Sequence, residues 1–587
     1  MQRDSLQIVH KFRIPALLCA LAVLCCILIS RPFVDMGICD DGTYIVTALH
    51  LKETGRIVYN GWPAPILGWQ LYLGAAMIKL FGYSFTTVRV GTWLVAMAMA
   101  FVLQRAFVAA DIRERNATMG ALALALSPLY LMLSSTYMTD IYGLFAIVIC
   151  LHGCLLALRA RTDGAAIGWL FYAAATNAVF GSARQNGWMG LFIMVPCTLW
   201  LLRGRRRVLF GGIPAMLLGA VFVAACLLWF SKQPYTHAER LFSGYYPIQQ
   251  TLTEFVIAIL DLPFLLLPIV ALFFAEIRRN RPRTIAIIAA LSVVYLVLAC
   301  YPSHLRGHFV LEPAMGDWVD VHGIFAAVLL RGEPPIFLNK AEQVVLTIVS
   351  LGGLIGLLTS LLRLRREAPV EPSAAAISWK QLGVLLGPFA AVYALSVVPR
   401  AIQNTLFDRY VLGLLVVLLL CLVRYYQERI HARLPWAGWV LVAIMAVYGI
   451  AVLHNLFSLY RARVDLAAEL RANGVPDTSV DNGWEYNFNV ELKYASHIND
   501  PKIGRPKDAY TFVPKPTGRC YVLWYYDTPH IHPLYGVAFD PNACYGPAPF
   551  APVHYSRWLT SSPGTLYVVR YTPPTTALPN APTPFAR

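Results

Sequence analysis

The run IPALLCALAVLCCILISRPF, residues 14–33, decides the fold class. A helix crosses the hydrocarbon core of a bilayer with about 20 apolar residues, and this run has that length. Arg3, Lys11 and Arg13 precede it, as they would in a signal peptide. It is longer than an ordinary signal core, however, and no small-residue cleavage site follows it. It reads as a retained first membrane helix. The rest of the chain agrees: of 587 residues, 58% are hydrophobic and only 14% charged, and the mean hydropathy is +0.56. Soluble domains carry about 25% charged residues. A large cytosolic enzyme, a disordered protein and an ordinary nucleic-acid binder are thereby excluded.

Twelve further runs of spanning length follow, near 86–108, 118–136, 141–158, 166–183, 187–202, 208–230, 252–275, 284–301, 341–362, 380–398, 408–423 and 436–457. About thirteen membrane helices are expected, because backbone groups in lipid must bond within their own segment. Alternate connections are short and basic: Arg113 and Arg115; Arg159 and Arg161; Arg203, Arg205, Arg206 and Arg207; Arg278, Arg279, Arg281 and Arg283; Arg363, Arg365 and Arg366; Arg424, Arg429 and Arg433. The positive-inside bias puts these and the N-terminus in the cytoplasm. The net charge of +16 is thus an orientation signal, with no nucleic-acid partner implied. An odd number of helices places everything after about 458 outside. Residues 458–571 are polar, with apolar patches at 520–526 and 565–570 that read as short strands. They are expected to form a small external α+β domain, followed by a disordered Pro/Thr/Ala-rich tail over 572–587. Most of the twelve cysteines lie in helices; Cys520 and Cys544 share the external domain, and their pairing stays open on sequence alone.

The first external loop, 34–85, holds an acidic pair, Asp40-Asp41, directly after the first helix. Carboxylates there are costly unless solvated or functional. One reading makes Asp41 an N-cap for the helix that follows; the other makes the pair chemical. Two amphipathic stretches, 43–54 and 66–81, are expected to lie at the interface over a cavity.

The loop resembles the first loop of GT-C superfamily membrane glycosyltransferases, above all the protein O-mannosyltransferases and the lipid A aminoarabinose transferase. The matching residues run in order: Asp40-Asp41, Tyr44, Gly55, Asn60-Gly61, Pro65, Trp69, Leu80-Phe81-Gly82 and Arg89. The detailed likeness covers 31–100, with weaker echoes to about 190 and around 405–415. Two departures stand out. The second acid, usually Glu, is Asp41, and Pro63-Ala64-Pro65 lacks the Lys found before the Trp, so another cation would have to hold the donor phosphate. The resemblance implies that Asp40 is the catalytic base, that Asp41 orients Asp40, the acceptor or a local cation, and that a sugar on a polyprenyl phosphate is the donor.

Asp140 in Thr139-Asp140, and Arg184-Gln185 in a short outer turn, also resemble the family. Asp140 is a third catalytic candidate, against the reading of an exposed cap. Arg suits bidentate phosphate contact, against that of an interfacial anchor. Loop 302–340 brings His304, Arg306, His308, Glu312, Asp317, Asp320 and His322, and Arg409-Tyr410 opens the twelfth helix. The candidate substrate-binding set is Tyr44, Trp69, Arg89, Arg184, Gln185, Arg306, Arg409 and Tyr410, with Arg400 a weaker phosphate ligand. No Cys/His pair has metal spacing, so no cofactor or metal ligand is assigned, and a divalent metal stays open.

The expectation is an all-α polytopic membrane protein of GT-C type, 1–457, with the α+β domain outside an inner cell membrane. It would move a sugar from a polyprenyl-phosphate donor to a hydroxyl of a glycan, lipid or protein acceptor, by one inverting displacement among membrane lipids. A transporter or flippase of a lipid-linked glycan is the competing reading. It predicts internal repeats or helices broken at the midplane, and no repeat is visible. A non-catalytic scaffold is the third; it predicts that Asp40 and Asp140 can be replaced without loss.

Overall fold

The computed structural model describes residues 13–236, 248–300, 311–316, 318–324, 330–364, 376–402 and 406–573. The described residues of each of the thirteen apolar runs are mostly helical. The first is α1 (Ile14–Ser30). Two helices of the first loop follow, α2 (Asp41–Thr54) and α3 (Gly68–Phe81). Next comes α4 (Phe85–Ala109), which Ser84 caps by accepting from the Thr87 amide. The expected single run 118–136 is broken into α5 (Glu114–Ala125) and α6 (Pro128–Ser134), bent by 67°. The cause is local: the Ser127 hydroxyl accepts from the Tyr130 amide, and Pro128 starts a new helix.

The central helix α7 (Asp140–Arg159) is buried along nearly all its length and packs on α4 and on α8 (Asp163–Phe180). The run 187–202 begins as a π turn, Gly190–Met194, before α9 (Val195–Leu201). Then come α10 (Arg206–Phe230), α11 (Ile248–Leu265) and the single turn α12 (Leu267–Val270), continued by the 3-10 segment Ala271–Arg279. The 72° bend between residues 265 and 267 lies beside Pro268. Helix α13 (Pro282–Cys300) is followed by a small hairpin of β1 (Val319–Asp320) and β2 (Gly323–Ile324). The bundle closes with α14 (Lys340–Leu364), α15 (Trp379–Ile402), α16 (Leu412–Arg429) and α17 (Trp436–Ala472).

Among the described residues, seven helices are long and apolar enough to cross a membrane, and nine if each bent pair counts as one span. Helix α10 exposes Phe210, Leu217, Leu218, Val221 and Leu228, which lipid would cover. Several cations of the basic turns are paired: Arg159 with Asp111 at 2.5 Å, Arg363 with Glu276 at 2.5 Å, and the fully buried Arg424 with Glu428 at 2.8 Å. Asn116, part of a glycosylation sequon, is buried and donates to Gln427 Oε1 at 3.0 Å, so it is a packing residue.

Helix α17 runs unbroken through residue 458, where the external region was expected to begin. Beyond it lie β3 (Val480–Asp481), α18 (Trp484–Tyr494), β4 (Tyr535–Ala538), β5 (Val553–Tyr555) and β6 (Gly564–Arg570). They form a four-stranded sheet in the order β3-β4-β6-β5, with β3 and β4 parallel and the other pairs antiparallel. The patch 565–570 is a strand as expected. The patch 520–526 is not: it is an irregular turn, with Tyr521 O accepting from the Arg331 guanidinium at 2.5 Å and its rings packed on one another. High β propensity there reflects aromatic packing without a partner strand.

Cys520 and Cys544 are joined, with Cα atoms 5.6 Å apart. The bridge spans 24 residues, so replacing both cysteines with Ser should destabilise this region by roughly 3 kcal/mol. Limited proteolysis in detergent would show faster cleavage there than in the helical bundle.

Candidate active site

The chain turns sharply into α2, with Cys39 at a positive φ of 54°. Asp40 is the residue flanking the helix start, yet its carboxylate makes no capping bond. Asp41 is not the cap either. Its Oδ1 accepts from the Ile38 amide at 2.7 Å, and its Oδ2 from the Tyr137 amide at 3.1 Å. Arg89 Nε donates to Asp41 Oδ2 at 2.8 Å, and the same guanidinium donates to Val34 O and Met36 O. Both side chains are completely enclosed. Asp41 and Arg89 therefore bolt the loop to α4, which leaves the Asp40 carboxylate to face elsewhere.

The Asn60-Gly61 turn holds the far side of the loop. Asn60 Nδ2 donates to Thr43 O at 2.8 Å, and the Ile498 amide donates to Asn60 O at 2.8 Å. Gly61 has φ of 91°, and a Cβ there would come within 2.8 Å of Ile498 O, so only glycine fits. The next residue, Trp62, hydrogen-bonds the Asp40 carboxylate, and the Cys39 thiol lies 3.7 Å from Asp40 Oδ1. Burial pushes the Asp40 carboxyl above the usual carboxylate range, and Asp140 adds to this; Arg409, Trp62 and Cys39 oppose it. Tyr44 is buried one turn on, its phenol pushed up by burial and by Asp40.

Cations converge behind Asp40. Asp140, the first residue of α7, pairs with Arg184 of the outer turn, and Arg409 Nη1 lies 3.9 Å from its Oδ2. Arg184, Arg400 and Arg409 stand 5.5, 5.3 and 5.3 Å from the ring centre of Tyr410. Three guanidiniums thus gather around the Tyr410 ring, two of them beside the enclosed Asp140 carboxylate, and arginines so grouped suit contact with an anion. Asp140 Oδ2 has no hydrogen-bond partner among the described residues. Asp140, Arg184, Asn186, Tyr393 and Arg409 line one small pocket, with room for about one water molecule. Asp408 fastens the wall: its Oδ2 accepts from the Trp318 and Val319 amides at 3.3 and 3.0 Å, and Arg409 lies 6.0 Å from the Trp318 ring.

No family model matches the chain, and no curated protein matches it. Solved structures similar to it include ArnT from Cupriavidus metallidurans bound to undecaprenyl phosphate, at 14% identity over 94% of this chain and 96% of that one, with a TM-score of 0.41. The same protein in the apo state is similar at 18% identity over 81% and 84%, with a TM-score of 0.38. The oligosaccharyltransferase AglB from Archaeoglobus fulgidus, in complex with an inhibitory peptide and a dolichol-phosphate, is similar at 14% identity over 90% and 65%, with a TM-score of 0.40.

The residues expected from sequence fall into two groups. Asp40, Tyr44, Asp140, Arg184, Arg409 and Tyr410 share one neighbourhood. Asp41 and Arg89 form the enclosed bolt, and Trp69 packs on Tyr142 and Phe180 while its Nε1 donates to Phe180 O at 2.9 Å. Gln185 Nε2 donates to Ala64 O at 3.2 Å and so ties the outer turn to the first loop. Arg306 lies outside the described residues, with His304, His308 and Asp317. Among the described residues, no group of three or more His, Cys, Asp or Glu side chains is arranged to hold a metal ion.

Sequence reasoning missed the contribution of the C-terminal region. Glu485 of α18 accepts from Tyr460, from Arg463 at 3.0 Å and from the Cys39 amide at 3.4 Å. Trp62 packs on Trp484 and Phe488, with ring centres 4.7 and 5.0 Å apart. No local signal could have found these contacts, since Cys39 and Glu485 are 446 residues apart.

Proposed function

We propose that the chain is a membrane glycosyltransferase of the GT-C type that moves a sugar from a polyprenyl-phosphate donor to an acceptor hydroxyl. The observation that carries this reading is the pairing of a carboxylate not spent on capping, Asp40, with the cluster of Arg184, Arg400 and Arg409. The resemblance of loop 34–85 supports it independently.

The donor phosphate would sit among the guanidiniums, Arg409 and Arg184 taking the place of the missing loop Lys. Asp40 accepts the proton of the acceptor hydroxyl as its oxygen bonds to the anomeric carbon. The bond from that carbon to the phosphate oxygen breaks, and the polyprenyl phosphate leaves with the electron pair. A phosphate needs cationic stabilisation and no proton to leave. Trp62 and Cys39 hold the Asp40 carboxylate toward the acceptor, and Asp140 holds Arg184. One displacement inverts the anomeric centre.

The base works only when deprotonated. Because burial raises the Asp40 pKa, transfer should fall with decreasing pH through a value higher than the ordinary Asp pKa of about 3.9, and recover above it. A kcat/KM profile against pH on the enzyme in detergent measures this; an acid limb at the ordinary value removes the environment assigned to Asp40. Proteoliposomes carrying a labelled polyprenyl-phosphate sugar test the function itself. Labelled sugar joined to an acceptor is the expected result, and labelled lipid crossing the bilayer without transfer would make the protein a flippase.

A further inference from the structure

Two buried carboxyls take no part in the transfer step. Asp261 stands inside the apolar helix α11 and is 2% exposed; Glu312, in the loop after α13, is 1% exposed. Ionisable groups at such depth are costly, and their usual justification is a function. The two side chains hydrogen-bond each other. Asp261 Oδ1 also accepts from the Ala314 amide at 3.0 Å, and the Met315 amide donates to the same carboxylate. Burial and the Asp261 charge push the Glu312 carboxyl up to about 11, so it keeps its proton at neutral pH. Glu312 is therefore the donor of the pair and Asp261 the acceptor. Glu312 Oε2 has no hydrogen-bond partner among the described residues, which a neutral acid tolerates better than a carboxylate does. The Glu312 amide donates to Thr347 Oγ1 of α14 at 2.9 Å. The segment is thus pinned to two helices.

The same segment holds Arg409. The Asp408 amide donates to Gly316 O at 3.3 Å, and Asp408 Oδ2 accepts from the Trp318 and Val319 amides. Asp408 Oδ1 accepts from the Arg409 amide at 2.7 Å, and the Arg409 guanidinium lies beside the Trp318 ring. From this chain of contacts we infer that Asp261 is a positioning residue for the donor phosphate: with Glu312 it fixes the backbone at 312–316, which fixes Asp408 and so Arg409. The inference rests on the glycosyltransferase reading, in which Arg409 meets that phosphate. Asp261 itself touches no substrate. A guanidinium holds phosphate through directed, paired hydrogen bonds, so its worth depends on how it is aimed. The arginine stem is long, and the place of its backbone limits where the fork can reach. Shifts of about 1 Å at such a group are enough to cost binding and rate.

The test measures the affinity of the full-length protein in nanodiscs for two probes, undecaprenyl phosphate and undecaprenol. They share a tail and differ in the phosphate, and native mass spectrometry reads both. Arg409→Ala should weaken undecaprenyl phosphate about tenfold, as for loss of one charge-assisted hydrogen bond, and leave undecaprenol unchanged. Asp261→Ala should act in the same sense, by about three- to tenfold. Added to Arg409→Ala it should cost nothing more, because it acts through that residue. Asp261→Asn keeps an oxygen for the Ala314 amide and should retain most of the affinity. Glu312→Gln keeps a neutral donor and should bind as wild type does. Thr347→Val removes the other anchor and leaves the pair intact, so it tests the chain of contacts even if Asp261→Ala does not fold. It too should weaken the phosphate lipid alone. Unchanged phosphate binding in both anchor variants, an equal loss for undecaprenol, additive losses in the double variant, or a loss in Glu312→Gln as large as in Asp261→Ala would overturn the inference. The two readings fail separately. If Arg409→Ala binds undecaprenyl phosphate as wild type does, the phosphate site itself falls. If Arg409→Ala weakens it and neither anchor variant does, only the positioning role falls.

Discussion

Asp40→Asn should reduce sugar transfer by roughly 10²–10⁴-fold, the usual loss when a positioned general base is removed. The substitution keeps shape and leaves the Trp62 contact with an oxygen partner. It removes only the capacity to take a proton from the acceptor. Donor binding should persist, because the cations that would hold the phosphate come from α15, from the 3-10 turn Asp408–Val411 before α16 and from the outer turn, and Asp40 lies on none of these. The measurement is single-turnover transfer with a polyprenyl-phosphate donor, together with donor affinity. A rate close to wild type would sink the mechanism, and a large loss of donor affinity would recast Asp40 as part of the phosphate site.

Arg89→Met should destabilise the protein by about 3–5 kcal/mol, the range for leaving one partner of a buried ion pair uncompensated. Asp41 keeps its bonds from the Ile38 and Tyr137 amides, but its charge would remain in a site with no solvent access. Asp41→Asn combined with Arg89→Met removes both charges and should recover part of the loss. Thermal unfolding in detergent, followed by tryptophan fluorescence, gives the comparison. If the double variant is no more stable than the single one, the pair is not coupled as its geometry indicates. Activity should fall in the single variant as well, because the same guanidinium holds Val34 O and Met36 O in the approach to Asp40.

The helices were legible because apolar runs of bilayer length, separated by arginines, fit a membrane bundle and little else. The break at Ser127-Pro128 was legible too, in a cap residue followed by a proline, although run length alone concealed it. The acidic pair could be found, and the resemblance assigned its two members different roles, but adjacency alone makes Asp40 and Asp41 look alike. Only the position of Arg89, 48 residues on, gives one a buried partner and leaves the other facing Trp62. The cation cluster drew on Arg184, Arg400 and Arg409, which come from three separate segments, so their meeting around Tyr410 had no sequence signature. The aromatic patch 520–526 misled for the reverse reason, since rings that pack on each other mimic a strand.

Helix α17 has 37 residues, which at 1.5 Å per residue is about 55 Å, well beyond the roughly 30 Å of a hydrocarbon core. The excess stands outside the bilayer as a rigid spar and carries Tyr460 and Arg463 to meet Glu485. The height of the sheet above the lipid is therefore set by a count of residues. One added helical turn would lift α18 by about 5.4 Å and draw Trp484 away from Trp62. The spar acts as a gauge rod: its length sets the height at which Glu485 and Trp484 meet Cys39 and Trp62 of the first loop.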